Sequence, residues 1–372
     1  GASIVAPRLS NQSQSKLDVQ TSGIVIPPPE ETEILLPEPV NPEPIPTLQN
    51  GDGLQWKMVS AFDSSMPLFG TLATRLVNKI KLLSNGEITI LHHEPDTLAP
   101  VNELFQAVYS GSIDAAFTTP SMDIERNNAL GLFGATPFGP GPEELLAWFY
   151  VGNGRKSFEN IYHALGMHAE VCGLIPGEPA GWFQQEITSP TDFGGLRMRI
   201  EGLAAKTVEK LGTIPVQLDA TEIHTALMNG EINAAEFSLP SLDYKLQLHK
   251  AAQHYYFPGW HQRATFLTLL MRFDTWKSLN QQQRSQISSV CGDNIRQGLA
   301  EGEAAQYDAL KAFSAHGTEI IQFPPDVLDA LNDAWQEVVI DESSKNNQFR
   351  LIWRSLSLFR RDYDIWNELN DM

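Results

Sequence analysis

Cysteine is scarce. The 372-residue chain has two, Cys172 and Cys291, and no CxxC pair. That spacing excludes thiolate metal sites and dithiol redox chemistry. One disulfide is open to the pair, and two buried free thiols is the favoured reading. Basic runs are also missing: 26 Lys and Arg stand against 45 Asp and Glu, a net charge of −19. Nucleic acid and anionic membrane surfaces are therefore poor partners, although local cations can still hold a small anion. No apolar run approaches the length of a bilayer span. The sequence contains no P-loop, GxGxxG, GxSxG or HExxH, and its nine histidines show no metal spacing. His92 and His93 are adjacent, so on a strand they face opposite sides. Nothing nominates a nucleophile with its base.

What is present begins with a compositional boundary. Pro27 to Pro46, "PPPEETEILLPEPVNPEPIP", has eight prolines, five glutamates and no Lys or Arg. Proline favours extended chain and like charges repel. Residues 1–53 read as a stiff solvated tether, or equally as an N-terminal segment with no role. As polyproline II the twenty residues would reach roughly 60 Å. The chain starts at Gly1 rather than Met, which fits a processed terminus whose export signal has gone.

Folded character starts near Leu54. "LQWKMVSAF" reads as a strand. Leu68, Leu72, Leu76, Ile80 and Leu83 follow helical spacing up to Asn85-Gly86, a left-handed stop. Strands alternating with helices predict α/β lobes with largely parallel sheets. "NELFQAVYSGSIDAAF" then matches "TEIHTALMNGEINAAE" position by position, at an offset of 230 − 111 = 119 residues. That is too long for a solenoid period and fits two similarly built lobes. The tail is helical, with Phe349, Ile352, Trp353, Leu356, Phe359, Tyr363 and Trp366 on one face. Such a face buries against the chain's own lobes or a partner.

The copies diverge where chemistry begins. Phe117 of the early copy is replaced by Glu236, at the carboxyl end of a strand, where open α/β sheets bind ligands. "GGLRMRIEG" places Arg197 and Arg199 two apart on a short strand, and a guanidinium fork matches a carboxylate. Glu178 sits in the Pro/Gly loop "IPGEPAGWF". "HYYFPGWHQ" crowds rings around Pro258-Gly259, Trp260 among them, lining a pocket or plugging a seam.

In this order, "GWF..EI", "GGLRMRIEG", "LGTIPVQL", "EIHTALMNGEINAAEFSLP" and "YYFPGWH" resemble the periplasmic solute-binding subunits of TRAP transporters, the DctP family. The likeness runs from about Leu54 to Met372 and is greatest to the branch that binds 2-oxo acids and lactate. It implies an α/β, two-lobe periplasmic-binding-protein fold, the Venus flytrap, with a hinge and a long C-terminal helix. Residues 54–175 with part of 263–372 would form one lobe and 176–262 the other. The remainder of 263–372 would cross the hinge and supply the C-terminal helices. Arg199 would pair with the substrate carboxylate, with Glu178 and Trp260 beside it. Glu178, Glu236 and the backbone carbonyl of Phe237 would hold a cation. The family usually has Gln at the position of Glu178 and often Trp at that of Phe237; Ala180 replaces a Gly.

Charge counting points to calcium. Glu178, Glu236 and a substrate carboxylate sum to −3, and Arg199 adds +1. A divalent ion brings the closed site to zero and sodium leaves −1, while an unbalanced −2 costs several kcal/mol. The expected function is non-enzymatic capture of a pyruvate- or lactate-like acid, bridged by Ca2+ (or Na+), for delivery to TRAP membrane subunits. The resemblance also implies a periplasmic homodimer that exchanges its long C-terminal helix. The alternatives are a receptor for a sugar acid, dicarboxylate or aromatic acid without metal, a metal-dependent lyase or aldolase, and a receptor for a sensor kinase.

Overall fold

The computed structural model describes residues 53–370. Apart from Gly53, the expected tether lies outside them. The described strands are, in chain order, β1 (Leu54–Ser60), β2 (Ile88–His93), β3 (Ala115–Thr118), β4 (Met167–Pro176), β5 (Gly181–Phe183), β6 (Arg197–Arg199), β7 (Ile214–Val216), β8 (Ala234–Ala235), β9 (His254–Phe257), β10 (Ala264–Arg272) and β11 (Glu319–Gln322). They form two sheets, ordered β2-β1-β3-β10-β4 and β11-β9-β5-β8-β6-β7. Together with the flanking helices these are the two α/β lobes that the alternation of elements predicts.

Local signals explain the elements. The helix Phe69–Leu83 buries Leu72, Leu76 and Ile80, while Leu83 falls off the stripe into solvent. It stops at Asn85 and Gly86, with φ of 55° and 83°, the left-handed conformation a glycine adopts without a Cβ clash. Both copies of the repeat fold as helix, glycine turn and strand. Gly111 (φ 80°) precedes β3, and Gly230 (φ 70°) precedes β8. Each of these strands lies between one parallel and one antiparallel neighbour. The copies thus hold equivalent places in two similar sheets.

The sheets are mixed rather than largely parallel, and the reason is topological. β10 runs against both β3 and β4, and β5 against both β8 and β9. Each antiparallel strand is the one reached by a crossing from the other sheet. β4 leaves the first sheet at its carboxyl end and enters β5 after residues 177–180. β9 leaves the second sheet the same way and enters β10 after residues 258–263. The carboxyl ends of the parallel strands face the seam, so a strand arriving from the seam must run away from it. β11, from the C-terminal part of the chain, adds to the second sheet beside β9.

Cys172 on β4 and Cys291 on the helix Gln281–Ala304 form a disulfide across 119 residues of sequence. This corrects the reading of two free buried thiols. The helix lies directly on β4: a Cβ at Gly298 would stand 2.9 Å from the Leu174 carbonyl oxygen. No sequence pattern registers that contact. In the chain-entropy account, closing a loop of that length is worth about 5 kcal/mol.

One helix ties the lobes together. Pro325–Lys345 places Val327 and Leu331 in the core of the second sheet and Trp335, Val338 and Val339 in a core of the first. Near its end Glu342 is buried. Its Oε2 accepts from Asn128 Nδ2 at 2.7 Å and faces Lys206 Nζ at 3.0 Å, and Oε1 accepts from Lys345 Nζ at 2.9 Å. Burial alone would raise the carboxyl pKa, but Asn128, Lys345 and Lys206 hold it at about 2. The stabilisation is therefore full above the ordinary glutamate range and is lost as pH falls through about 2. Glu342→Gln is expected to cost about 2 kcal/mol at neutral pH and distinctly less at pH 3. Denaturant titrations of both proteins at the two pH values measure the difference.

Candidate functional site

Four side chains converge beyond the carboxyl ends of the second sheet, at the seam. Arg199 is the last residue of β6 and pairs in register with Ala235 of β8, and Glu236 follows at once, its N–H donating to the Arg199 carbonyl at 2.9 Å. The strand ends therefore set the guanidinium and the carboxylate side by side. Glu178 lies on the outward crossing and His261 on the return one. The crossings touch: Glu178 N–H donates to the Gln262 carbonyl at 3.0 Å. Gly259 permits this approach, since a Cβ there would sit 1.5 Å from the Glu178 carbonyl oxygen.

All four are buried: Glu178 is 5% exposed, Glu236 8%, Arg199 9% and His261 2%. His261 Nε2 stands 3.4 Å from Glu236 Oε1 and 3.8 Å from Glu178 Oε2. Ser238 Oγ donates to Glu178 Oε1 at 2.8 Å. Arg199 Nη1 donates to the Glu236 carbonyl at 2.9 Å and lies 3.5 Å from Glu236 Oε2. Its Nε donates to the Leu218 carbonyl at 3.4 Å and its Nη2 to Glu201 Oε1 at 3.0 Å. A guanidinium has five N–H donors. Three are used here, which leaves one on each terminal nitrogen.

The electrostatics follow from burial. Desolvation, and then the charge of Glu236, pushes Glu178 up to about 7. Burial would raise Glu236 as well, but His261 and Arg199 hold it below its usual value. Burial would lower His261, yet Glu236 and Glu178 bring it up to about 9. A further acid lies behind them. Asp243 accepts from Trp182 Nε1 at 2.9 Å and Tyr255 OH at 2.8 Å. Its burial, with the charges of Glu178 and Glu236, raises its pKa well above the carboxylate range and favours the neutral form.

The donor set fits a cation. Ligand atoms of Glu178, Glu236 and His261 all lie within 4.8 Å of one another. Neither ring nitrogen of His261 has a hydrogen-bond partner among the described residues. Buried polar atoms are normally satisfied, so the orphaned nitrogens mark a place for a further group. Carboxylate oxygens are hard ligands that suit calcium or sodium.

The structure thus brings together Arg199, Glu178 and Glu236, named from sequence. Phe237 adjoins them, its ring 5.6 Å from the Arg199 guanidinium. Trp260 lies next to His261 with its ring buried against Phe138 at 5.8 Å. Arg197, although on the same strand as Arg199, is exposed. His261 and Ser238 were missed. His261 was visible only as one ring of "HYYFPGWHQ", and Ser238 only as the second residue after Glu236. A cavity of about 510 Å3, lined by Gln184, His249, Lys250 and His316 among others, lies at the amino ends of β9 and β11, away from this cluster.

Residues 60–346 match the bacterial extracellular solute-binding proteins of family 7, DctP. The chain belongs to this family, whose members are binding receptors. Within it, the chain is 28% identical over 319 residues to a monocarboxylate 2-oxoacid-binding periplasmic protein of Nostoc sp., covering 86% of this chain and 87% of that one. A TRAP transporter solute-binding protein from Bordetella bronchiseptica, a dimer with copurified calcium and picolinate in one site, is 28% identical with a TM-score of 0.83 over 86% of this chain and 96% of its own. One from Colwellia psychrerythraea with calcium and pyruvate is 27% identical, TM-score 0.82, with coverage of 86% and 98%. One from Pseudoalteromonas atlantica with sodium and pyruvate is 26% identical, TM-score 0.81, with coverage of 86% and 97%. The two-lobe fold is that of these proteins, and this chain carries a long C-terminal helix, Asn347–Asn370.

Proposed function

We propose that this chain is the receptor of a TRAP uptake system and captures a small 2-oxo or 2-hydroxy monocarboxylate, pyruvate- or lactate-like, together with a cation. The observation that carries the reading is the buried cluster of Glu178, Glu236 and His261 beside Arg199, whose Nη1 lies 3.5 Å from Glu236 Oε2. One N–H remains on each terminal nitrogen of Arg199, and together they would receive the two oxygens of a carboxylate. Glu178, Glu236 and the Phe237 carbonyl would hold the cation, which supplies an electrophilic anchor for the acid's second oxygen. Trp260 and the Phe237 ring would wall the site. The relatives that hold pyruvate with calcium or sodium support this reading.

His261 changes the charge count on which the sequence argument for calcium stands. Glu178, Glu236 and the ligand give −3, and Arg199 gives +1. With neutral His261 a divalent ion closes the sum at zero. With imidazolium, the form that the raised His261 favours at neutral pH, the same sum closes with sodium and calcium leaves +1, unless the bound ion displaces the ring proton. Calcium remains the proposed ion, because two carboxylates and a carbonyl match its multi-oxygen preference. The reading is of a receptor rather than an enzyme, working in the periplasm with TRAP membrane subunits.

A second copy of this chain is a further proposed partner. Phe349, Ile352 and Leu356 bury the first half of the helix Asn347–Asn370 on the first lobe. Ile365, Trp366 and Leu369 near its end are 60%, 59% and 63% exposed. Light scattering is expected to give twice the chain mass; a monomer at micromolar concentration contradicts this.

Calorimetric titration of chelator-treated protein tests the site. Pyruvate or lactate is expected to bind tightly with added Ca2+ and far more weakly without it. Arg199→Ala is expected to weaken binding about thirtyfold or more, the cost of truncating one partner of a buried charge pair. Undiminished affinity without metal eliminates the cation bridge, and no binding of either acid with any cation favours a sugar acid, dicarboxylate or aromatic acid instead. Turnover of the acid would make the chain a lyase or aldolase.

A further inference from the structure

Arg199 already has an anionic partner that neither the charge count nor the family assignment explains. Glu201 Oε1 accepts from Arg199 Nη2 at 3.0 Å, two residues further along the chain. The Glu201 side chain is 53% exposed, while that of Arg199 is 11% exposed. Glu201 is the residue before the helix Gly202–Lys210, but its side chain makes no capping hydrogen bond. Among the described residues its side chain has no other hydrogen bond or ion pair.

Two roles are open to a carboxylate in that position. It could orient the guanidinium, or it could compete with an incoming anion for it. Orientation is already provided by the Leu218 and Glu236 carbonyls, which fix Nε and Nη1. Glu201, by contrast, is replaceable at small cost. Half in water, it is solvated wherever it turns, and exposed ion pairs contribute little. Its charge meanwhile acts on any anion that takes the fork, and most strongly on one with a second negative group.

We infer that Glu201 is a built-in competitor for Arg199 that weakens anion binding and biases the site toward monocarboxylates. The inference rests on the oxo-acid reading above and deepens it. A ligand carboxylate shares the guanidinium with Glu201 or displaces it, and in either case meets its repulsion. A dianion meets that repulsion twice, in a site where Glu178 and Glu236 already exclude excess negative charge. Occupancy then depends on the cation supplying the compensating attraction.

The test is calorimetry of wild type and Glu201→Gln with pyruvate and with 2-oxoglutarate, at low salt and with calcium present. Glutamine keeps the shape and removes the charge. The variant is expected to bind pyruvate about two- to fivefold more tightly, the range of a half-exposed ion pair, and to gain by a larger factor for 2-oxoglutarate. The gain for both is expected to shrink as salt rises. Equal or weaker pyruvate binding by the variant overturns the inference and makes Glu201 a positioning residue. An equal gain for the two ligands overturns the selectivity. If wild type binds neither acid with any cation, the oxo-acid reading itself fails, a result distinct from both.

Discussion

Two carboxylates are buried together where the chain crosses between its sheets, and the rest of the site is arranged around that constraint. Removing even one ionised group from water costs several kcal/mol unless partners are supplied. Here Arg199 and His261 face Glu236, and Ser238 and His261 face Glu178. Asp243 adds a third acid nearby, tied to Trp182 and Tyr255. A core built for stability alone would fill such a place with apolar side chains. Concentrated, partly compensated negative charge is what a site for a cation and an acid requires.

The fold makes the concentration possible. Carboxyl ends of the parallel strands in both sheets point at the seam, so strand exits and crossings meet there. Glu236 and Arg199 come from two neighbouring strand ends, and Glu178 and His261 from two crossings in backbone contact. That contact needs Gly259, because any side chain would occupy the space of the Glu178 carbonyl. The disulfide and the helix Pro325–Lys345 hold the frame from outside the site. Family membership, through residues 60–346, covers both crossings and every strand but β1, of which it reaches only Ser60.

Much of this was legible in the sequence because it is local. The glycine stops at Gly86, Gly111 and Gly230 mark helix ends by a conformation that other residues resist. The repeat exposed Glu236 as the departure from Phe117, and Phe117 is a fully buried core residue in the structure. Arg199 was readable from its short glycine-bounded strand. What stayed hidden depends on contacts between distant segments. His261 meets Glu178 only because the crossings are antiparallel neighbours. Cys291 meets Cys172 only because a helix lies on β4. The antiparallel course of β5 and β10 follows from the direction of entry, which no hydrophobic pattern encodes. Glu201 carries no signal of its own within "GGLRMRIEG", because its contact with Arg199 depends on how the chain turns after β6.

The most direct test of the central claim is a crystal structure of the protein grown with calcium and pyruvate, with the ion identified by anomalous scattering. The account expects one ion bound by Glu178 and Glu236, with the pyruvate carboxylate on the terminal nitrogens of Arg199. An acid seated elsewhere, or an ion absent while Glu178 and Glu236 keep their contacts to His261 unchanged, contradicts it.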